Sequence, residues 1–132
     1  MSFLVDTDIC SAHLKDSPAV SSRFLQNTGR LHVSAVSLGE LYVFAFRKRA
    51  SPQILAGLLQ MLNDLRVLDV GSDVARRFGR LRAELLDRGR PVASMDVLIA
   101  ATALVHDLTL VTHNLRDYSD IPGLRVVDWT AA

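Results

Sequence analysis

Cysteine, lysine and long apolar runs are scarce in this chain, and each shortage removes a class of protein. A lone cysteine, Cys10, excludes an intrachain disulfide framework and a cysteine-based zinc site, so a reducing compartment is expected. No apolar run approaches the roughly 20 residues of a membrane span, and the opening residues lack the basic and apolar regions of a signal peptide. A cytoplasmic protein without a membrane partner is therefore expected. Neither a repeat nor a low-complexity linker interrupts the 132 residues, so residues 1–132 are read as one domain. Aromatic residues make up 6% of the chain, and the one inside the arginine cluster, Phe78, falls on that helix's apolar stripe, so a base-stacking platform for single strands is not expected.

What the chain does contain is a hydrophobic fraction of 49% with a mean hydropathy of +0.22. That composition implies a core-rich α/β domain, or an apolar surface that a partner covers. The net charge of +1 conceals a skew: thirteen of the fifteen basic residues are arginine, and six of these fall between Arg76 and Arg90. A balanced total does not exclude a local basic face.

The apolar pattern alternates between strand and helix. "SFLV" reads as a short buried strand, followed by a helix starting near Asp8 and another opened by Ser17-Pro18 and ended by Gly29. "RLHVSA" is a second strand, and Ser37-x-x-Glu40 reads as a capping box on the helix after it. Pro52 opens the mostly apolar helix "PQILAGLLQMLNDLR", and "VLDV" is a third strand. Val74, Phe78, Leu81 and Leu85 recur at helical spacing before Gly89. "SMDVLIAATALVHD" is apolar nearly all round, as a central buried helix should be. "LTLVT", a short turn or helix start at "NLRDY", and "LRVVDW" complete the order. This alternation predicts a three-layer α/β/α domain around a mostly parallel sheet of four to five strands, with sites beyond the strands' carboxyl ends.

Four acids fall at such junctions: Asp6, Glu40, Asp96 and Asp117. Each alone has an ordinary explanation, since acids cap helices and favour first turns. Asp96 fits that explanation least, being the one charged residue from Met95 to Val105 in a helix expected to be buried. A buried acid needs a cation, a hydrogen-bonding shell or a raised pKa. If the sheet gathers all four, a hard divalent ion such as Mg²⁺ or Mn²⁺ is the natural neutraliser of oxygen-only ligands. Thr7, Thr112 and Asn114 are candidate supporting polar residues.

"LVDTDI", "VSLGELYVFAFRKR", "MDVLIAATALVHDLTLVTHNLRDY" and "IPGLRVVDW" together resemble the ordered motifs of PIN-domain ribonucleases, and specifically of the VapC toxins of bacterial toxin–antitoxin pairs. The resemblance extends over the whole chain. It implies metal-binding, catalytic roles for Asp6, Glu40, Asp96 and Asp117, with Thr112 and Asn114 in support. It also implies a divalent-metal-dependent endoribonuclease leaving a 5′-phosphate and a 3′-hydroxyl. The family's Asn is replaced by Asp8, read as a structural first-turn acid; Tyr118 stands for a frequent Phe and is expected to preserve packing; His113 is read as an exposed loop residue.

The expected partners are an RNA substrate, folded as tRNA is, a cognate antitoxin and a second copy of the chain, with DNA reached only through the antitoxin. "LYVFAF" and "ILAGLLQMLNDL" carry more apolar positions than one core face requires. Arg47, Arg49, Arg76 and Arg80 are the candidate substrate-binding cations. A histidine acid–base ribonuclease is a poorer fit, because His13 and His106 read as helical and His32 as strand. Two further alternatives are a non-catalytic PIN-like module acting with a DNA-binding partner and a Mg²⁺-binding receiver-like module. The receiver reading lacks a lysine after a late strand, and intact acids at all four positions argue against a degenerate site.

Overall fold

The computed structural model describes residues 1–130. Five strands form one all-parallel sheet: β1 (Phe3–Val5), β2 (Leu31–Ser34), β3 (Arg66–Leu68), β4 (Thr109–Val111) and β5 (Val126–Val127), in the order β3-β2-β1-β4-β5. Strand β1 is central, with Leu4 opposite His32 on one side and Leu110 on the other. Its three residues are all buried, because a parallel sheet has no solvent face to spare. The period of two along β1 divides the core: Phe3 and Val5 join Ile9, Phe24, Leu41 and Leu58 on one side, while Leu4 joins Leu81, Leu85, Val97 and Ile99 on the other.

Helices α1 (Thr7–Leu14), α2 (Pro18–Gln26), α3 (Ala35–Phe46) and α4 (Pro52–Met61) contribute to the first cluster, and a single 3₁₀ turn, Leu62–Asp64, follows α4. The second cluster contains residues of α5 (Ser72–Asp87), α6 (Ser94–Val105) and α7 (Leu115–Tyr118). This is the expected α/β/α arrangement. Cys10 lies in α1 at zero exposure, its sulfur 3.9 Å from the carbonyl of Val5, and burial pushes its thiol well above the ordinary value.

Local boundaries depart from expectation where two capping residues compete. The capping box at Ser37 does not form. Ser34, the last residue of β2, caps α3 instead, its hydroxyl accepting from the amide of Val36 at 3.1 Å, so the helix begins three residues earlier. Pairing of Ser34 opposite Leu68 holds it at the sheet's edge and decides the contest. Ser37 is then fully buried with its hydroxyl unpaired, and Glu40 lies beyond the first turn, free to face elsewhere. Likewise α1 begins at Thr7 with Asp6 as its cap, one residue before Asp8. Helix α2 ends at Gln26, ahead of Gly29, which takes a positive φ of 85° in the following turn. β3 starts one residue before "VLDV", and β5 keeps only two residues of "LRVVDW".

α6 is as buried as its composition requires, with Val97, Ile99, Ala100, Ala101 and Ala103 enclosed and the Thr102 hydroxyl donating to the carbonyl of Leu98 at 2.8 Å. Since Leu4 is the central strand's whole contribution to the second cluster, Leu4→Ala is expected to destabilise the protein by about 2–5 kcal/mol, read as a lower urea midpoint with an unchanged slope.

Candidate metal centre

The carboxyl end of β1 carries Asp6, 6% exposed, and its neighbours at the same edge are the ends of β2 and β4. The backbone here is pinned: the amide of Asp6 donates to the carbonyl of Val111 at 2.9 Å. Asp6 Oδ1 accepts from the amide of Thr7 at 2.8 Å, so one oxygen caps α1. Asp6 Oδ2 accepts from the hydroxyl of Thr112, which follows β4, at 2.8 Å, and from the phenol of Tyr118 at 3.2 Å. The same phenol lies 3.3 Å from Asp96 Oδ1, in the first turn of α6. Asp6 is therefore both a cap and a member of an acidic cluster.

The remaining acids are held by further neutral donors. Glu40 Oε1 accepts from the hydroxyl of Thr7 at 2.7 Å, and Asp117 Oδ2 from the side-chain amide of Asn114 at 2.6 Å. Asp8 Oδ2 accepts from the amide of His113 at 3.0 Å and sits 3.4 Å from the Thr112 hydroxyl, whose proton points to Asp6 at the shorter distance. Thr7, Thr112 and Asn114 thus each hold a carboxylate. The His113 ring turns away to Asp128, at 3.0 Å.

None of these five acids forms an ion pair among the described residues. Burial, and next the charge of Asp8, push the Asp6 carboxyl up from 3.8 to about 6 despite its hydrogen bonds. Asp96 is raised too, first by burial and then, against the Tyr118 hydrogen bond, by the charges of Asp117, Glu40 and Asp8. The charges of Asp117, Glu40 and Asp8 thus all bear on Asp96.

An all-oxygen donor set with unbalanced negative charge fits a hard divalent cation by its chemistry. Among the described residues no three acidic, histidine or cysteine side chains already stand close enough to form a cage.

Two residues read from the sequence as structural, Asp8 and Tyr118, join the cluster. The first-turn position of Asp8 disguised it, and only the approach of the loop after β4 reveals it. Tyr118 differs from a packing Phe by a hydroxyl whose partners lie far off in sequence.

The cations are distributed differently from the sequence-based choice. Arg76, Arg77 and Arg80 line a concavity with Asp73 and Val105, the residue ending α6 at the opposite end from Asp96. Arg47 terminates α3, about two turns beyond Glu40, and Arg49 follows it. Arg90 and Arg116, absent from that choice, line a cleft of about 280 Å³ together with Asp117.

A sequence profile of the PIN domain matches residues 3–124. Over 130 residues the chain is 37% identical to the tRNA(fMet)-specific endonuclease VapC of Salmonella typhimurium, with 98% of each chain covered. Ribonuclease VapC2 of Haemophilus influenzae is 33% identical over 130 residues, again with 98% of each covered. Among solved structures, DNA-bound VapBC from Salmonella typhimurium superposes with a TM-score of 0.92 at 37% identity, covering 98% of both chains. VapBC2 from Rickettsia felis, bound to a DNA fragment from its promoter, gives 0.88 at 27% identity, covering 98% of this chain and 99% of that one.

The raised Asp6 carboxyl has a definite thermodynamic sign. Between pH 3.8 and about 6 the native protein binds more protons than the unfolded chain, so stability is lost as the pH rises through that window. The contribution is on the order of 3 kcal/mol once complete. In chelator, Asp6→Asn is expected to gain stability relative to the parent from pH 4 to pH 7, the difference in melting temperature moving in the variant's favour by several degrees. Thermal unfolding across that range measures it.

Proposed function

The chain belongs to the PIN-domain family, and from that membership we propose that it is a VapC-type toxin: a divalent-metal-dependent endoribonuclease restrained by a cognate antitoxin. The observation that carries the reading is the hydroxyl-bridged group of Asp6, Asp8 and Asp96 at the sheet's carboxyl edge, with no ion pair among the described residues. Glu40 and Asp117 complete the proposed ligand set with Asp6 and Asp96. Mg²⁺ or Mn²⁺ bound there would supply Lewis acidity at a phosphodiester and acidify an attacking water.

The protein's own groups account for the rest. β1 and α6 present Asp6 and Asp96 from rigid elements, and Thr7, Thr112 and Asn114 hold carboxylates in place by hydrogen bonds. The N-termini of α1 and α6 add positive ends to the same edge, lowering the cost of the charge. Arg116, exposed and without an ion pair among the described residues, is placed beside Asp117 to meet an RNA phosphate. Arg90 is paired with Asp120 and shapes the opposite wall. Water attack at phosphorus with release of the 3′-oxygen leaves a 5′-phosphate and a 3′-hydroxyl. A transfer RNA is the substrate class suggested by the names of the 37% identical relatives.

The partner follows from apolar surface. Leu14, Leu41, Phe44, Ile54 and Gly57 line a groove of about 320 Å³ between α1, α3 and α4, suited to an amphipathic antitoxin segment. Val43 and Phe46, 58% and 68% exposed, offer a second copy of the chain an apolar contact. DNA is reached through the antitoxin, in keeping with the DNA-bound VapBC relatives. No helix among the described residues is long and apolar enough to cross a membrane.

With purified protein and a tRNA pool, Asp6→Asn and Asp96→Asn are each expected to lower cleavage by more than roughly 100-fold, beyond the usual cost of an outer hydrogen-bond partner. EDTA is expected to abolish cleavage, and Mg²⁺ or Mn²⁺ to restore it. Cyclic-phosphate ends, or full activity in both variants, would refute the reading. In the Asp6→Asn background, Arg116→Ala should weaken RNA binding and make the log–log salt dependence shallower by roughly 0.7–0.9. Arg76→Ala should leave that slope unchanged; filter binding over a salt series compares the two.

A further inference from the structure

Tyr118 is 1% exposed, yet its hydroxyl reaches the oxygens of two carboxylates that come from different elements, 3.2 Å from Asp6 Oδ2 and 3.3 Å from Asp96 Oδ1. One proton serves both, so the phenol is a shared, neutral bridge between two anions with no cation paired to either among the described residues. Counting acceptor positions shows what this bridge does. A carboxylate offers about four, two on each oxygen. On Asp6 Oδ2, Thr112 and Tyr118 take both, while on Oδ1 the amide of Thr7 takes one and leaves one open. Asp96 Oδ2 accepts no hydrogen bond among the described residues. The ring is enclosed in the same apolar cluster as Leu4, Ala100 and Leu110, so packing holds the ring while its hydroxyl meets both carboxylates.

We propose that Tyr118 is a positioning residue of the metal centre: its hydroxyl locks Asp6 and Asp96 against each other and leaves Asp6 Oδ1 and Asp96 Oδ2 as the oxygens presented to a divalent ion. This rests on the metal-centre reading above. A group that acts on ligand orientation from outside the coordination sphere typically changes metal affinity by 10–100-fold when removed. Loss of the phenol hydroxyl should therefore be felt in ion binding, while the ring's packing is retained by Phe.

The test is calorimetric titration of Mn²⁺ into the parent chain and Tyr118→Phe at one pH, without RNA. A cooperative melting transition of the metal-free variant certifies its fold. The expected result is Mn²⁺ binding about 10-fold weaker in Y118F, with cleavage recovered when Mn²⁺ is raised in proportion. Unchanged affinity overturns the assignment. Tighter binding also overturns it, since the phenol would then only occupy the cation's place. If the parent itself binds no Mn²⁺, the metal-centre reading fails and takes this proposal with it, a result distinguishable from equal binding by both proteins.

Discussion

Asp6, held at 6% exposure with no basic side chain paired to it among the described residues, is the constraint around which the rest of the molecule is arranged. Asp6 cannot move away from this position, because its amide belongs to the hydrogen bonding of the central strand and its carbonyl accepts from Cys10 in the first turn of α1. What can be arranged are its surroundings, and they are a capping amide, a threonine hydroxyl and a phenol. These soften the penalty without removing it, as the raised carboxyl shows. Neutral donors lower the cost of a buried charge, whereas a cation can cancel it. A site left short of positive charge in this way is one in which folding and ion binding are thermodynamically linked.

The parallel sheet makes that concentration of charge possible. All five strands point the same way, so every loop leaving a carboxyl end emerges on one side. Residues separated in sequence, such as Asp6, Asp96 and Tyr118, meet there without any strand reversing. Two hydrophobic clusters, one on each face, hold that edge from both sides.

Much of this was legible from the chain because it depends on local pattern. The alternation of short apolar strands and helices predicted the layers, and Asp96 stood out as the one charge among apolar neighbours, half-buried in the first turn of α6. Legibility ended where tertiary pairing chose between locally equivalent options. Ser34 and Ser37 are both acceptable caps, and pairing with β3 selected the first. Asp8 looked like a first-turn acid because it is one; that it also receives the amide of His113 depends on a loop about a hundred residues away. The placing of the arginines was hidden for the same reason. Their density between Arg76 and Arg90 is conspicuous, but α5 directs most of that run elsewhere. Arg82 donates to the carbonyl of Val92 and Arg88 to that of Asp120, so part of the run is structural. Arg116 stands next to Asp117 in the chain and beside it in the cleft, yet carried no signal as an isolated basic residue.

Cys10 gains significance from its position under this edge. Sealed at zero exposure, and with its thiol held protonated by burial beside Asp6 and Asp8, it is chemically silent as long as α1 stays docked. Oxidants and alkylating reagents can reach it only in molecules whose first helix has opened. The chain thus carries an internal clock: the rate at which its sole sulfhydryl is labelled reports how often the helix that bears Asp8, and that Asp6 caps, comes loose.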